Sequence, residues 1–467
     1  GRQMLSLSRV VGRSGVRAAR CASTFPDYIV NSPATEVTTL ENGLRVASEG
    51  GHGETATVGV WIDAGSRYET AENNGTAHFL EHMAFKGTSN LSQQALEREI
   101  EDMGGHLNAY TSREQTVYHA KVFKDDVPRA VQILSDILLN ATLDEGAINR
   151  ERSVILREAA SVDEMKDEVI FDMLHETAYQ RTGLARTILG PRENIESLQR
   201  QHLVDYIKTH YTAPRVVVAG AGAIEHSQLV DLAQQHFGKM PSEPAPGMVV
   251  PPVESVFTGS DIRLRDDDLG VAHVALAFQS AGATSSHVFP LMVLQTLIGD
   301  WDRTSTTGRN ASSKLAQAAS ELQLAHNFMT FNMQYKDTGL FGVYAVAEAT
   351  SLNDLMWYTL DSMVRLCHET TPEEVERAKV QLKAKMLMQL DGSSATAQDI
   401  GQQILTYGRR LTAPEIFARI DAVDEEAVKE TALALINDQD HALAALGPLT
   451  ELPDYNWLRR RSTWQRY

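Results

Sequence analysis

Residues 241–252 read PSEPAPGMVVPP, five prolines in twelve residues. Each proline removes a backbone donor and fixes φ, so this stretch cannot be a helix interior or a central strand. It predicts an extended, semi-rigid linker over 241–253. The 467 residues are thereby split into two parts, each long enough to bury its own core. The order of elements before the linker recurs after it. In the first part, a hairpin over 35–40 and 44–48 turns at Glu41-Asn42-Gly43, Asn-Gly being a strong hairpin signal. A strand over 57–64, a helix over 73–85, a helix over 92–103 opened by Ser92 and ended by Gly104-Gly105, and a strand over 116–123 follow. An amphipathic helix over 125–139 and a long charged helix over 144–162 come next, then helices over 193–210 and 227–237 around an apolar strand at 216–221. In the second part, 262–264 and 272–277 resemble the opening strands, and 289–298 falls where the helix at 73–85 fell. Residues 340–347, 352–366 and 371–390 repeat the strand at 116, the helix at 125 and the long helix at 144, and 413–436 with 442–446 repeat the closing helices and strand. A period of about 210 residues is too long for a solenoid. It implies an α+β protein of two homologous halves, 24–240 and 254–467, each a mostly antiparallel sheet with helices packed on it.

The first 23 residues stand apart. They hold Arg2, Arg9, Arg13, Arg17 and Arg20 and no acid before Asp27, the composition of a mitochondrial transit peptide. Arg20-Cys21-Ala22-Ser23 places the expected processing point near Ala22 or Ser23. Without these residues the formal charge moves from −18 to −23, so the body repels nucleic acid and attracts cationic partners. Cys21 and Cys367 are the only cysteines, which excludes a disulfide framework and a cysteine metal site. No apolar run approaches the ~18–20 residues of a membrane span.

Residues 77–83 (AHFLEHM) carry the candidate chemistry. His78 and His82 are four apart, so on a helix both imidazoles project from one face and can share a zinc ion. Glu81, on the same side, is available to take a proton from water. His-x-x-Glu-His is the inverted zincin order. The second half has Val293-Leu294-Gln295-Thr296 at the matching place, so one half carries the chemistry. A catalytic zinc has three protein ligands as a rule. The long helix offers Glu151 and Glu158, seven residues apart and on one face, and spacing alone does not choose between them.

Three segments together, 78–87 (HFLEHMAFKG), 107–117 (LNAYTSREQTV) and 151–158 (ERSVILRE), resemble the zinc peptidase family that includes insulysin, pitrilysin and the mitochondrial processing peptidase, and within it the β-type subunits. The resemblance runs from about residue 35 to the end of the chain. It implies that Glu158 is the third zinc ligand, that Glu151 supports the site, and that Glu81 is the general base of a hydrolysis with no covalent intermediate. It also implies a pocket for the substrate's arginine in Glu168 and Asp172. On an unbroken helix these would lie about 80° and about 40° around the axis from Glu158, Glu168 about 15 Å along it. Asn108, Ala109 and Tyr110, with Thr111, resemble the family's edge strand, where an extended peptide adds through backbone hydrogen bonds. Residues 299–310 contain two glycines, where the family's α subunits carry a glycine-rich loop, so a separate α partner is expected to bind basic presequence peptides together with this chain. Residues 452–467 resemble the ending of plant and algal members that are built into the cytochrome bc1 complex. That adds a structural role as a core subunit of the complex, on the matrix side of the inner membrane.

Overall fold

The computed structural model describes residues 33–252, 254–304 and 308–463. The segment read as a transit peptide lies outside the described residues. Two six-stranded sheets organise the rest. The first holds β1 (Glu36–Thr39), β2 (Arg45–Gly50), β3 (Thr55–Ile62), β4 (His106–Thr111), β5 (Thr116–Phe123) and β6 (Val216–Gly222), in the order β1-β2-β6-β3-β5-β4. The second holds β7 (Ser260–Arg265), β8 (Ala272–Ala281), β9 (Asp300–Asp302), β10 (Asn327–Gln334), β11 (Thr338–Ala347) and β12 (His441–Gly447), in the order β7-β12-β8-β11-β10-β9. In each sheet one neighbouring pair is parallel, β2 with β6 and β7 with β12, and the others are antiparallel. The repeat read in the sequence is therefore a repeat of topology. Residues 241–252 form neither helix nor strand.

The β1–β2 hairpin closes as its residues demand. Leu40 N donates to Leu44 O at 2.8 Å, Asn42 Oδ1 accepts from Leu44 N, and Gly43 takes φ +90°. Alternation then sends Val46, Val58 and Val60 to a core shared with helices Thr76–Ala84 and Val127–Leu139, while Ala47, Trp61 and Val217 face the other way.

What covers that other face comes from the far half. Helix Ser393–Tyr407 packs Ala397, Ile400 and Ile404 against Trp61, Val217 and Ala219 of the first sheet. In return, helix Lys166–Ala178 packs Ile170, Leu174 and Ala178 against Ala275, Ala442 and Ala444 of the second. Each sheet is buried on one side by its own helices and on the other by a helix lent from its homologue.

The helix ends correct two expectations. The long helix ends at Val162, as its sequence reading has it, but a new one begins at Lys166, so the angles drawn from an unbroken axis do not apply to Glu168 and Asp172. The helix expected at 193–210 is two, Arg192–Ser197 and Arg200–His210. Residues 413–436, read as closing helices, are Ala413–Asp421 and Glu425–Leu435.

A further asymmetry bears on binding. β4 lies at the edge of the first sheet. Its counterpart β10 is not at an edge, because β9 pairs antiparallel with Asn327, Phe328 and Met329.

Candidate metal centre

Helix Thr76–Ala84 begins at Gly75, whose φ of +103° brings its Cα so close to Leu189 O that a Cβ would stand 2.6 Å from that oxygen. The helix start has no capping side chain of its own. Its free N–H groups are met by Glu69, which is fully buried: Oε1 accepts from Ala77 N at 2.7 Å, and Oε2 from Gly75 N at 2.9 Å and Asn74 Nδ2 at 2.8 Å. Burial raises the Glu69 pKa, and these donors oppose the rise. A carboxylate at a helix N-terminus suits both the open donors and the helix dipole. Phe79, Leu80 and Met83 anchor one side of the helix in the core. His78 and His82 project from the other, their rings 4.8 Å apart.

Helix Glu145–Val162 crosses beneath them. Asp144 caps it by accepting from Ala147 N at 2.8 Å, and Ala147, Ile148 and Ile155 bury its inner side. Glu158 Oε2 lies 3.1 Å from His82 Nε2, and Oε1 lies 3.6 Å from His78 Nε2. Two ligands ~2.0–2.1 Å from a tetrahedral ion stand about 3.3–3.4 Å apart. The two separations bracket that value, and one donor atom from each of His78, His82 and Glu158 falls within 4.8 Å of the others. The set therefore fits a zinc-sized ion with an open fourth position. Hydrogen bonds from the two imidazoles hold the Glu158 carboxyl far below the usual carboxylate range. Burial works against a charge on His82, but Glu158, Glu151 and Glu81 outweigh it and raise the pKa. A site this rich in negative charge attracts a cation.

Glu151 takes a different position. Its Oε2 lies 3.3 Å from His82 Nδ1, and its Oε1 is 2.8 Å from Lys86 Nζ. Holding Nδ1 as the donor leaves Nε2 its lone pair for a metal. Glu81 is half-buried, and its Oε2 accepts from Thr111 Oγ1 at 2.6 Å.

The residues read as substrate-binding sit on two other elements. Asn108 is exposed on β4 and Oδ1 accepts from Ala109 N at 2.9 Å. Tyr110 points to the opposite side from the metal helix, packing beside Trp61, and its hydroxyl accepts from Gln402 Nε2 at 3.3 Å. Glu168 is exposed on helix Lys166–Ala178, with no ion-pair partner among the described residues. Asp172 is already engaged, Oδ1 lying 2.5 Å from Nη2 of the buried Arg113. Glu69, Lys86 and Arg113 were not singled out by sequence, and Thr111 only as part of the edge strand. Lys86, Thr111 and Arg113 fall inside the matching segments, but no periodicity pairs residues separated by 30 or more positions in the chain. Glu69 lies nine residues before His78 and has no local signature.

Known proteins share the sequence pattern and the fold of this chain. Residues 45–192 match the family model described as insulinase, peptidase family M16, and residues 197–382 match that of the M16 inactive domain. The chain belongs to the insulinase family, peptidase family M16, and is a metallopeptidase whose family uses a divalent metal. Among its relatives is the Mus musculus protein named mitochondrial-processing peptidase subunit beta, 53% identical over 448 residues, spanning 96% of this chain and 91% of that one. The Homo sapiens protein of that name is 51% identical, spanning 99% and 95%. The Arabidopsis thaliana protein named probable mitochondrial-processing peptidase subunit beta, mitochondrial, is 51% identical, spanning 94% and 83%. A solved chain of complex III2 from Candida albicans superposes with a TM-score of 0.83 at 26% identity, covering 92% of this chain and 100% of that one. Among the described residues no helix is long and apolar enough to cross a membrane.

Proposed function

We propose that this chain is the metal-bearing β-type subunit of a mitochondrial processing peptidase, a zinc endopeptidase that removes basic presequences from imported proteins. One observation carries the reading: His78, His82 and Glu158 converge at ligand spacing with Glu81 beside them. Residues 24–240 form the zinc-peptidase domain, 241–253 the linker, and 254–467 a non-catalytic homologue. Residues 1–23 are the import signal.

His78 Nε2, His82 Nε2 and Glu158 would hold one zinc ion. When bound, zinc supplies Lewis acidity that polarises water and the scissile carbonyl. Glu81 accepts the proton of the attacking water and delivers it to the leaving amine. Glu151, backed by Lys86, keeps His82 in its binding tautomer. The peptide backbone adds to the open edge at β4 beside Asn108, Ala109 and Tyr110. The way β9 lies on β10 favours an antiparallel added strand. Glu168, without an ion-pair partner among the described residues, offers its carboxylate to a presequence arginine. Asp172, which keeps Arg113 in place, contributes with its second oxygen.

Residues 299–310, poor in glycine, leave the glycine-rich loop to an α partner, which completes the chamber. The chain acts in the matrix or on the matrix face of the inner membrane. A second reading, as a core subunit of the cytochrome bc1 complex, is favoured by the likeness to the complex III2 chain, and the two roles are compatible.

The test is cleavage of an arginine-bearing presequence peptide by the chain with its α partner, together with zinc content. Glu81→Gln is expected to keep its zinc and to lose about 10²–10⁴-fold in turnover. Wild-type turnover by that variant would remove the base assignment. A zinc-loaded wild-type pair that leaves the peptide uncut would favour the scaffold role.

A further inference from the structure

The hydrogen bond from Thr111 to Glu81 joins two parts of the site that the reaction alone does not connect. Thr111 is the last residue of β4, the open edge. Leu107 and Ala109 of that strand pack against the core that holds the metal helix, and Thr111, two residues on, shares their face. Strand register thus aims its hydroxyl at the helix.

The backbone carrying that hydroxyl is pinned on both sides. Thr111 pairs with Thr116 of β5, whose Oγ1 donates to Ala64 O at 2.8 Å. Immediately beyond, Ser112 N donates to Gln115 O at 2.7 Å, and Arg113 O accepts from Arg67 N at 2.8 Å. Glu81, by contrast, is a half-buried side chain with three rotatable bonds. A hydroxyl bonded to one oxygen of a carboxylate fixes its plane and leaves the other oxygen to receive a proton.

We propose that Thr111 is a positioning residue for the hydrolysis: it holds Oε2 of Glu81 so that Oε1 faces the attacking water, and it ties the base to the strand that receives the peptide. This rests on Glu81 being the base. A substrate strand seated on β4 is thereby held in a fixed relation to the proton acceptor through one hydrogen bond.

The test uses the chain with its α partner and an arginine-bearing presequence peptide. Thr111→Val keeps the shape and strand preference of threonine and deletes only the hydroxyl. It is expected to lose about 10–100-fold in kcat, with KM, zinc content and unfolding temperature unchanged. Thr111→Ser restores the donor and is expected to recover most of the rate. Wild-type kcat in Thr111→Val, with Glu81→Gln inactive, overturns the positioning role and leaves the base standing. A loss seen only in KM or zinc content also overturns it, since either would mean that Thr111 shapes the edge or the metal site. An active Glu81→Gln would remove the base itself and this proposal with it.

Discussion

The imidazole of His82 is held from both sides, by Glu158 at Nε2 and Glu151 at Nδ1. Two glutamates of one helix face, which spacing leaves equivalent, are thereby given unlike tasks. Lys86 completes the distinction by pairing with the remaining oxygen of Glu151. With one oxygen on an ammonium and the other on a ring N–H, Glu151 is committed as an acceptor away from the ligand cluster. Replacing it should therefore weaken metal binding without abolishing it. Glu151→Gln is expected to cost about 10–100-fold in zinc affinity, measured by competition with a chelator. Lys86→Met should act in the same direction and more weakly, whereas Glu158→Gln removes the proposed third ligand and should leave little bound zinc. Equal affinities for Glu151→Gln and the wild type would show that His82 needs no support at Nδ1.

At the level of elements, the breaks are more informative than the helices. Residues 163–165 contain neither proline nor glycine, and local propensity would carry the long helix through them. Instead Glu164 N and Met165 N fold back onto Ser161 O and Val162 O. The downstream helix is redirected because Ile170, Leu174 and Ala178 find their apolar surface on the second sheet. The reciprocal helix, Ser393–Tyr407, crosses the first sheet so closely that a Cβ on Gly401 would stand 2.2 Å from the ring of Trp61. An alanine would ordinarily strengthen a helix at an interior glycine. Here Gly401→Ala is expected to destabilise by about 1–3 kcal/mol, seen as a lower midpoint in urea. An unchanged or raised midpoint would mean that the crossing is looser than described.

Across the whole molecule, the two halves also clasp each other through homologous hairpin tips. The β10–β11 tip carries Lys336 and Asp337. Lys336 pairs with Asp63, its N–H donates to Glu114 at 3.2 Å, and Asp337 lies 2.6 Å from Arg67. Arg67 is 2% exposed and pairs with Glu114 of the β4–β5 tip as well. The metal-free half thus braces the turn that follows Thr111. Arg67→Met leaves the half-buried Glu114 and the exposed Asp337 without their buried cation and is expected to cost about 1–3 kcal/mol, read as a lower unfolding temperature. Adding Glu114→Gln and Asp337→Asn to Arg67→Met should recover part of the loss, because no unpaired charge is then left behind. No recovery would place the defect in the lost packing of the guanidinium.

Much of this was legible in the chain itself, because the signals are local. A proline run forbids regular structure, Asn42-Gly43 turns a hairpin, and two histidines four apart share a helix face whatever surrounds them. The repeat of element order told of two like halves for the same reason, since strand and helix periods survive without knowledge of the partner surface. The roles of Glu151 and Glu158 were separable only by family resemblance. What decides them physically is the crossing of two helices whose metal-site residues lie 69 to 80 positions apart. The new direction of the chain from Lys166, the exchange of covering helices, the buried cap from Glu69 and the bond from Thr111 to Glu81 belong wholly to tertiary structure. Each is set by where apolar surface can be buried and where a charged group can find a donor, and neither is written in the order of neighbouring residues.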